Sequence, residues 1–189
     1  MKVCEGLLRG DVVSLCAHRS QDLDVYTRWF QDTALLGLVF TGPSRPVTRE
    51  EQQRLVDDMA ADTHAFAVRT LDGDRLVGTC ALRPVDARNR STSFGIVMGE
   101  PGDWGHGYGT DAARVALRYA FDELNVHRVQ LTVFDFNERA IRAFTKAGFR
   151  QEVRRREALW RDGRWWDDVI MGVLAPEWRE ANPGNEERP

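Results

Sequence analysis

From 91 to 149 in this 189-residue chain, strand, glycine-rich loop, helix, strand and second helix follow one another without a break, an order that few folds admit. "RSTSFGIVMG" reads as a strand, and "WGHGYG" then sets Gly105, Gly107 and Gly109 directly against "TDAARVALRYAF". That segment carries Ala112, Val115, Ala116, Tyr119 and Ala120 on one side at helical spacing. "HRVQLTVFDF" alternates Val129, Leu131 and Val133 against Gln130 and Thr132, as a strand does. Asn137 then opens a short helix that Gly148 closes as a left-handed cap. Two strands joined through a helix require a crossover.

Antiparallel pieces surround this unit. "DVVSLCAHR" reads as a strand and leads into a helix with Ser20 as its N-cap and Leu23, Tyr26 and Phe30 facing inward. Residues 33 to 47 mix apolar residues with Gly and Pro without a clean period, so they are expected to be a loop forming a pocket wall. Thr48 and Glu51 form a capping box, and Leu55, Val56 and Met59 are expected to be the buried stripe of the helix that follows. Asp72-Gly73 and Asp162-Gly163 supply the positive φ values of two hairpin turns. A single domain is expected over 1–178, with Trp178 as a packing anchor and the polar stretch from Glu177 fraying into a tail at 179–189.

Composition narrows the function classes. A net charge of −3 argues against a nucleic-acid partner. Cys4, Cys16 and Cys80 are odd in number and lack metal-ligand spacing, which fits free thiols in a reducing, cytoplasmic setting and no metal site. No apolar window approaches the length of a membrane span, so no membrane partner is expected.

The three glycines point to an anion. Amides at a helix start have no intrahelical acceptor, the helix dipole adds positive potential there, and glycine lets the backbone wrap a phosphate without side chains in the way. A P-loop would need a Lys, which is absent nearby, and a dinucleotide fingerprint would need a preceding parallel strand rather than an antiparallel meander.

The third design is the coenzyme A loop of the GNAT superfamily of N-acetyltransferases, which this chain resembles from about residue 10 to 178. In the pattern [Q/R]-x-x-G-x-[G/A], Trp104, Gly107 and Gly109 hold the three positions, with Trp in place of the usual polar residue. "WGHGYGTDA" is similar to the ribosomal-protein-type (RimJ/RimL-like) branch, and "LNVHRVQLTVFDFNERAIRAFTKAGF" and "DGRWWDDVIMGVL" resemble the family's crossover segment and closing hairpin.

The resemblance implies an α/β (α+β) fold with a mostly antiparallel central sheet, splayed at the cofactor site, and helices on both faces. It implies direct acetyl transfer from acetyl-CoA to a primary amine, namely a protein N-terminus, a polyamine, or an amine-bearing antibiotic or metabolite. The cosubstrate contacts it implies are the backbone of Ile96, Val97 and Met98, the loop residues Trp104, Gly105, His106, Gly107, Tyr108, Gly109 and Thr110, and Asn137 and Phe144. Glu100 and Asp103 are the candidate bases. Asn137 is either a plain N-cap, a pantetheine or water contact, or both. Many family members protonate the departing thiolate with a Tyr where Phe144 stands, and RimL-like members with a Ser where Ala140 stands, so Thr145, water or unassisted departure must substitute. Trp29, Trp160, Trp165 and Trp166 either wall an acceptor pocket or clamp a cation, or are core. The rival reading is a CoA-binding sensor or interaction module that has lost catalysis. The chain is expected to be a monomer or homodimer.

Overall fold

The computed structural model describes residues 6–57 and 63–183. One seven-stranded sheet runs in the order β1-β2-β3-β4-β5-β7-β6. β1 (Val13–Cys16), β2 (His64–Thr70), β3 (Leu76–Asp86) and β4 (Ser91–Met98) pair antiparallel as one half. β5 (Arg128–Phe134), β7 (Arg164–Leu174) and β6 (Arg150–Arg161) form the other, also antiparallel. The halves meet at the parallel pair β4–β5, which is the expected crossover and joins only over Ser91↔Arg128, Thr92↔Val129 and Ser93↔Gln130. Beyond Ser93 the two strands part.

Helices cover both faces. α4 (Tyr108–Asp122) and α5 (Glu138–Ala147) bury Ala112, Ala116, Ala120 and Phe144 in one core with Val77, Leu82, Val129 and Phe149. α1 (Asp22–Trp29) and α2 (Thr33–Val39) build a second core from Tyr26, Trp29, Phe30, Leu35 and Leu36. Ile96 and Met98 pack on the first core and Val97 on the second. Alternate strand residues face opposite ways, so the two cores lie on opposite sides of the sheet. The alanine face of α4 permits close approach to the sheet, and the Asp111 carboxylate ties that helix to the chain entering β1 by accepting from the amides of Asp11 (3.1 Å), Val12 (2.8 Å) and Val13 (2.9 Å). A side chain at Gly10 would meet that carboxylate at 2.4 Å.

Several local expectations hold in detail. Thr48 Oγ1 accepts from the Glu51 amide at 3.2 Å, and Glu51 Oε2 accepts from the Thr48 amide at 2.9 Å, at the start of α3 (Arg49–Asp57). The side chains of Leu55 and Val56, and all of Met59, lie outside the described residues, as does Cys4. Asp162 (φ 53) and Gly163 (φ 75) make the β6–β7 turn.

Four expectations are corrected. Ser20 is not the cap of α1: Gln21 holds that position without a side-chain bond, because Asp22 accepts from the Arg19 amide at 2.8 Å and is buried against Arg69. Residues 33 to 39 are the helix α2 rather than loop, capped by Asp32, whose carboxylate accepts from Ala34 (2.9 Å) and Leu35 (3.3 Å). In the β2–β3 turn the positive φ values fall on Gly73 and Asp74, not Asp72, since Arg19 grips Asp74 at 2.7 Å and draws it into the left-handed conformation. The stretch from Glu177 does not fray within the described residues: α6 (Ala175–Ala181) starts with the Leu174 amide donating to Glu177 Oε2 at 3.0 Å, and Trp178 is buried against Phe121. Among the described residues no helix is long and apolar enough to cross a membrane.

Candidate active site

The parting of β4 from β5 leaves half of β4's backbone without a strand to bond. The Gly99 amide donates to Val77 O at 3.1 Å, and Thr79↔Val97 and Ala81↔Gly95 follow in register. Antiparallel pairs alternate, so Gly95 and Val97 spend their amides and carbonyls on β3, while Phe94, Ile96 and Met98 turn theirs toward the gap. The Met98 carbonyl is taken there by Trp104 Nε1 at 3.1 Å. Of the expected backbone contacts, Ile96 and Met98 therefore face the gap, and Val97 does not, in backbone or in side chain.

The gap is a cavity of about 420 Å³ that passes through the sheet. On the α4/α5 side its walls include Gly105, Gly107, Tyr108, Gly109, Thr110, Asn137 and Phe144, and on the α2 side Leu35, Leu38 and Val39. Between them lie Ile96 and Met98 of β4 and Leu131 to Phe134 of β5.

Gly105 (φ +85) and Gly107 (φ +84) are left-handed, and Gly107 is the N-cap of α4 with no side-chain cap bond. The first helical bond runs from the Asp111 amide to Gly107 O at 3.0 Å, so the amides of Tyr108, Gly109 and Thr110 precede any intrahelical acceptor. Three cations from α5, Arg139, Arg142 and Lys146, line the same space. Arg139 stacks on the Trp104 ring, its guanidinium carbon 3.5 Å from the centroid, and burial lowers its pKa. Trp104 thus replaces a polar motif residue with a platform that holds a cation over the loop. Sequence reading missed Arg139, because nothing in "NERA" shows that its side chain crosses to the loop.

Asn137 is both cap and wall: its Oδ1 accepts from the Ala140 amide at 3.2 Å and the residue lines the cavity. Phe144 lines it too, packed edge-on to Phe94 and Phe149, with Ala140 beside it. Thr110 Oγ1 bonds Ala143 O at 3.4 Å, joining α4 to α5 beneath the loop.

Other expected site residues stand elsewhere. Glu100 does not line the cavity; its carboxylate accepts from Arg28 (2.8 Å) and Trp29 Nε1 (2.9 Å). Asp103 does line it, but its carboxylate is already held in a two-bond pair with Arg75 at 2.7 and 2.8 Å. His106 is exposed and stacks on Tyr108 outside the lining. Thr145 Oγ1 donates to Ile141 O at 2.9 Å, away from the cavity, so it supplies no proton there. None of Trp29, Trp160, Trp165 or Trp166 is a wall: Trp29 is core, Trp160 and Trp165 pair with each other in solvent, and Trp166 packs on Phe136.

A mostly antiparallel sheet that opens at its parallel pair, beside a glycine-rich helix start, defines the class of fold. The family model for the acetyltransferase (GNAT) domain matches residues 13–150, and the chain belongs to that family. The Probable N-acetyltransferase YjcK of Bacillus subtilis (strain 168) is 32% identical over 128 residues, 68% of this chain and 69% of that protein. The spermidine N(1)-acetyltransferase of Vibrio cholerae is 30% identical over 99 residues, 52% of this chain and 57% of its own length. A crystal structure of spermidine N-acetyltransferase from Vibrio cholerae, in complex with CoA and spermine, superposes with a TM-score of 0.79 at 24% identity, covering 88% of this chain and 97% of that one. This chain is an enzyme of the same N-acetyltransferase class.

Proposed function

We propose that the protein transfers an acetyl group from acetyl-CoA to a primary amine, and that the amine is the α-amino group of a peptide or protein. The observation that carries the cosubstrate is the free edge of β4 at Ile96 lying beside two left-handed glycines that open α4. An extended pantetheine arm would take the place of the missing strand partner, and the loop amides with Arg139, Arg142 and Lys146 would meet the phosphates. The Vibrio cholerae structure of this fold, solved in complex with CoA, supports acetyl-CoA as the cosubstrate.

In this reading the amine nitrogen attacks the thioester carbonyl, the C–N bond forms as C–S breaks, and the backbone amides facing the gap at Ile96 and Met98 stabilise the developing oxyanion. No free carboxylate lines the cavity among the described residues, since Asp103 is paired with Arg75. The amine must therefore lose its proton to water. An α-amino group, with a pKa of about 7.8, is neutral in roughly one molecule in seven at pH 7, whereas an alkyl amine at about 10.4 is neutral in roughly one in 2,500. A site without a base therefore favours the α-amine, by less than that ratio because the more basic alkyl amine is the better nucleophile once neutral. The α2 side of the cavity agrees: Leu35, Leu38 and Val39 are apolar and offer a polycation nothing to pair with. The loop wording shared with the ribosomal-protein-type branch points to protein N-termini as well. With Phe144 and Ala140 where hydroxyls stand in other family members, the thiolate departs unassisted and is protonated by water, which its pKa of about 8.5 permits.

A polyamine is the second reading, favoured by the relative and the solved structure named for spermidine. Thiol release from acetyl-CoA at pH 7 with short peptides, spermidine and simple alkyl amines separates the two. We expect kcat/KM at least tenfold higher for peptide α-amines. A tenfold preference for spermidine would overturn the acceptor assignment, and tight CoA binding without turnover on any amine would leave a binding module instead of an enzyme.

A further inference from the structure

One side chain outside the cavity ties down the chain that leaves its α2 wall. Thr33–Val39 of α2 is anchored at its start by Asp32 and by buried Leu35 and Leu36, but its last turn carries Leu38 and Val39 into the cavity. The chain that follows has no regular structure until Arg49. Arg161, the last residue of β6, reaches this stretch from far along the chain. Its Nη2 donates to Phe40 O at 2.8 Å and Gly42 O at 3.3 Å, and its Nη1 donates to Ser44 Oγ at 3.3 Å. The same guanidinium stands 5.9 Å from the centroid of Phe134, part of the β5 wall. It pairs with no carboxylate among the described residues.

Gly37 makes room for it. A Cβ at that position would lie 2.6 Å from Arg161 Nη1, so any other residue there would push the guanidinium aside. A planar fork that donates to three acceptors on one loop is a geometry lysine cannot copy.

We propose that Arg161 is a positioning residue that holds the end of α2 against the cleft and so sets the width of the acceptor side. This rests on the acetyl-transfer reading of the cavity. Arg161 touches neither the glycine loop nor α5, so its loss is felt by the amine and not by the cosubstrate.

The test compares Arg161→Met, Arg161→Lys and Gly37→Ala with wild type in the full chain. Arg161→Met should raise KM for the best peptide amine at least fivefold, leave kcat within about threefold and leave the Kd for CoA unchanged. Arg161→Lys should fall between wild type and Arg161→Met. Gly37→Ala should reproduce the KM effect by displacing the guanidinium with its charge intact. Hydrogen exchange over 33–48 should quicken in Arg161→Met. An amine KM within twofold of wild type, or KM and CoA Kd rising together, would overturn the proposal. If wild type acetylates no amine, the functional reading fails by itself, and the exchange rates still judge the strut: equal exchange over 33–48 in wild type and Arg161→Met would show that Arg161 holds nothing in place.

Discussion

Gly107 and Gly109 are two residues apart in the sequence and look alike there, yet they answer to different constraints. Gly107 sits at φ +84 with nothing within 4 Å of the place a Cβ would occupy, so the objection to another residue is torsional and not steric. A left-handed L-residue costs roughly 1–2 kcal/mol, and more when β-branched. Gly109 lies inside the first turn of α4, where a Cβ would meet Met98 Cγ at an ordinary 3.6 Å. We therefore expect Gly107→Val to weaken CoA binding at least tenfold, about 1.4 kcal/mol, by turning the loop amides away. Gly109→Ala should melt like wild type and lose affinity only where its methyl crowds the ligand. Calorimetric titration with CoA on variants checked by thermal melting decides this, and unchanged affinity in a folded Gly107→Val would remove the loop from the cofactor site. The left-handed glycines were legible because backbone freedom at a helix start is a local property. The cation over Trp104 was not, because Arg139 arrives from another helix.

At the scale of elements, α5 joins a helix cap and a stretch of cavity wall in one side chain. Asn137 Oδ1 caps the helix through the Ala140 amide, while the same residue forms part of the cavity wall. Removing the cap costs about 1 kcal/mol. Asn137→Ala should lose that stability together with turnover, whereas Asn137→Ser, which keeps a capping oxygen, should melt near wild type and still turn over slowly. Urea unfolding beside steady-state rates separates the roles, and full activity in Asn137→Ser would reduce Asn137 to a plain cap. The neighbouring surprise is α2. Its apolar run shows no helical period because Leu36 faces the core, Leu38 and Val39 face the cavity and Leu35 touches both, so no polar stripe marks the turn. Only Asp32, just ahead of it, carried the signal of a helix start.

For the whole molecule, buried titrating groups bound the pH range of stability. Burial pushes the Cys80 thiol up to about 12 and raises the Tyr26 hydroxyl well above its usual value. Unfolded chains ionise these groups first, so their contribution is intact below about pH 8.5 and is lost as pH rises toward the folded values. His18, inside the same half of the sheet and bonded to Tyr26 at 2.7 Å, has its pKa lowered chiefly by burial, which outweighs the pull of Asp22. Its stabilising share is present above about pH 6.5 and is lost as pH falls through its lower folded value. The urea midpoint should be flat from about pH 6.5 to 8.5 and fall on both sides, with His18→Gln reducing the acid-side slope. A midpoint unchanged between pH 8 and 10 would contradict the alkaline part.

Neighbours along the chain settle the capping box at Thr48, the Asp162-Gly163 turn, the crossover between two strands, and a glycine loop opening α4. Torsional preference and hydrophobic period act over a few residues and are readable there. Which groups remain free in the cleft was decided only by the tertiary structure. Glu100 is claimed by Arg28 across 72 positions, Asp103 by Arg75 across 28, and the α2 wall by Arg161 across about 120. A charge takes the partner that folding brings within about 3 Å, and sequence distance carries no record of that approach.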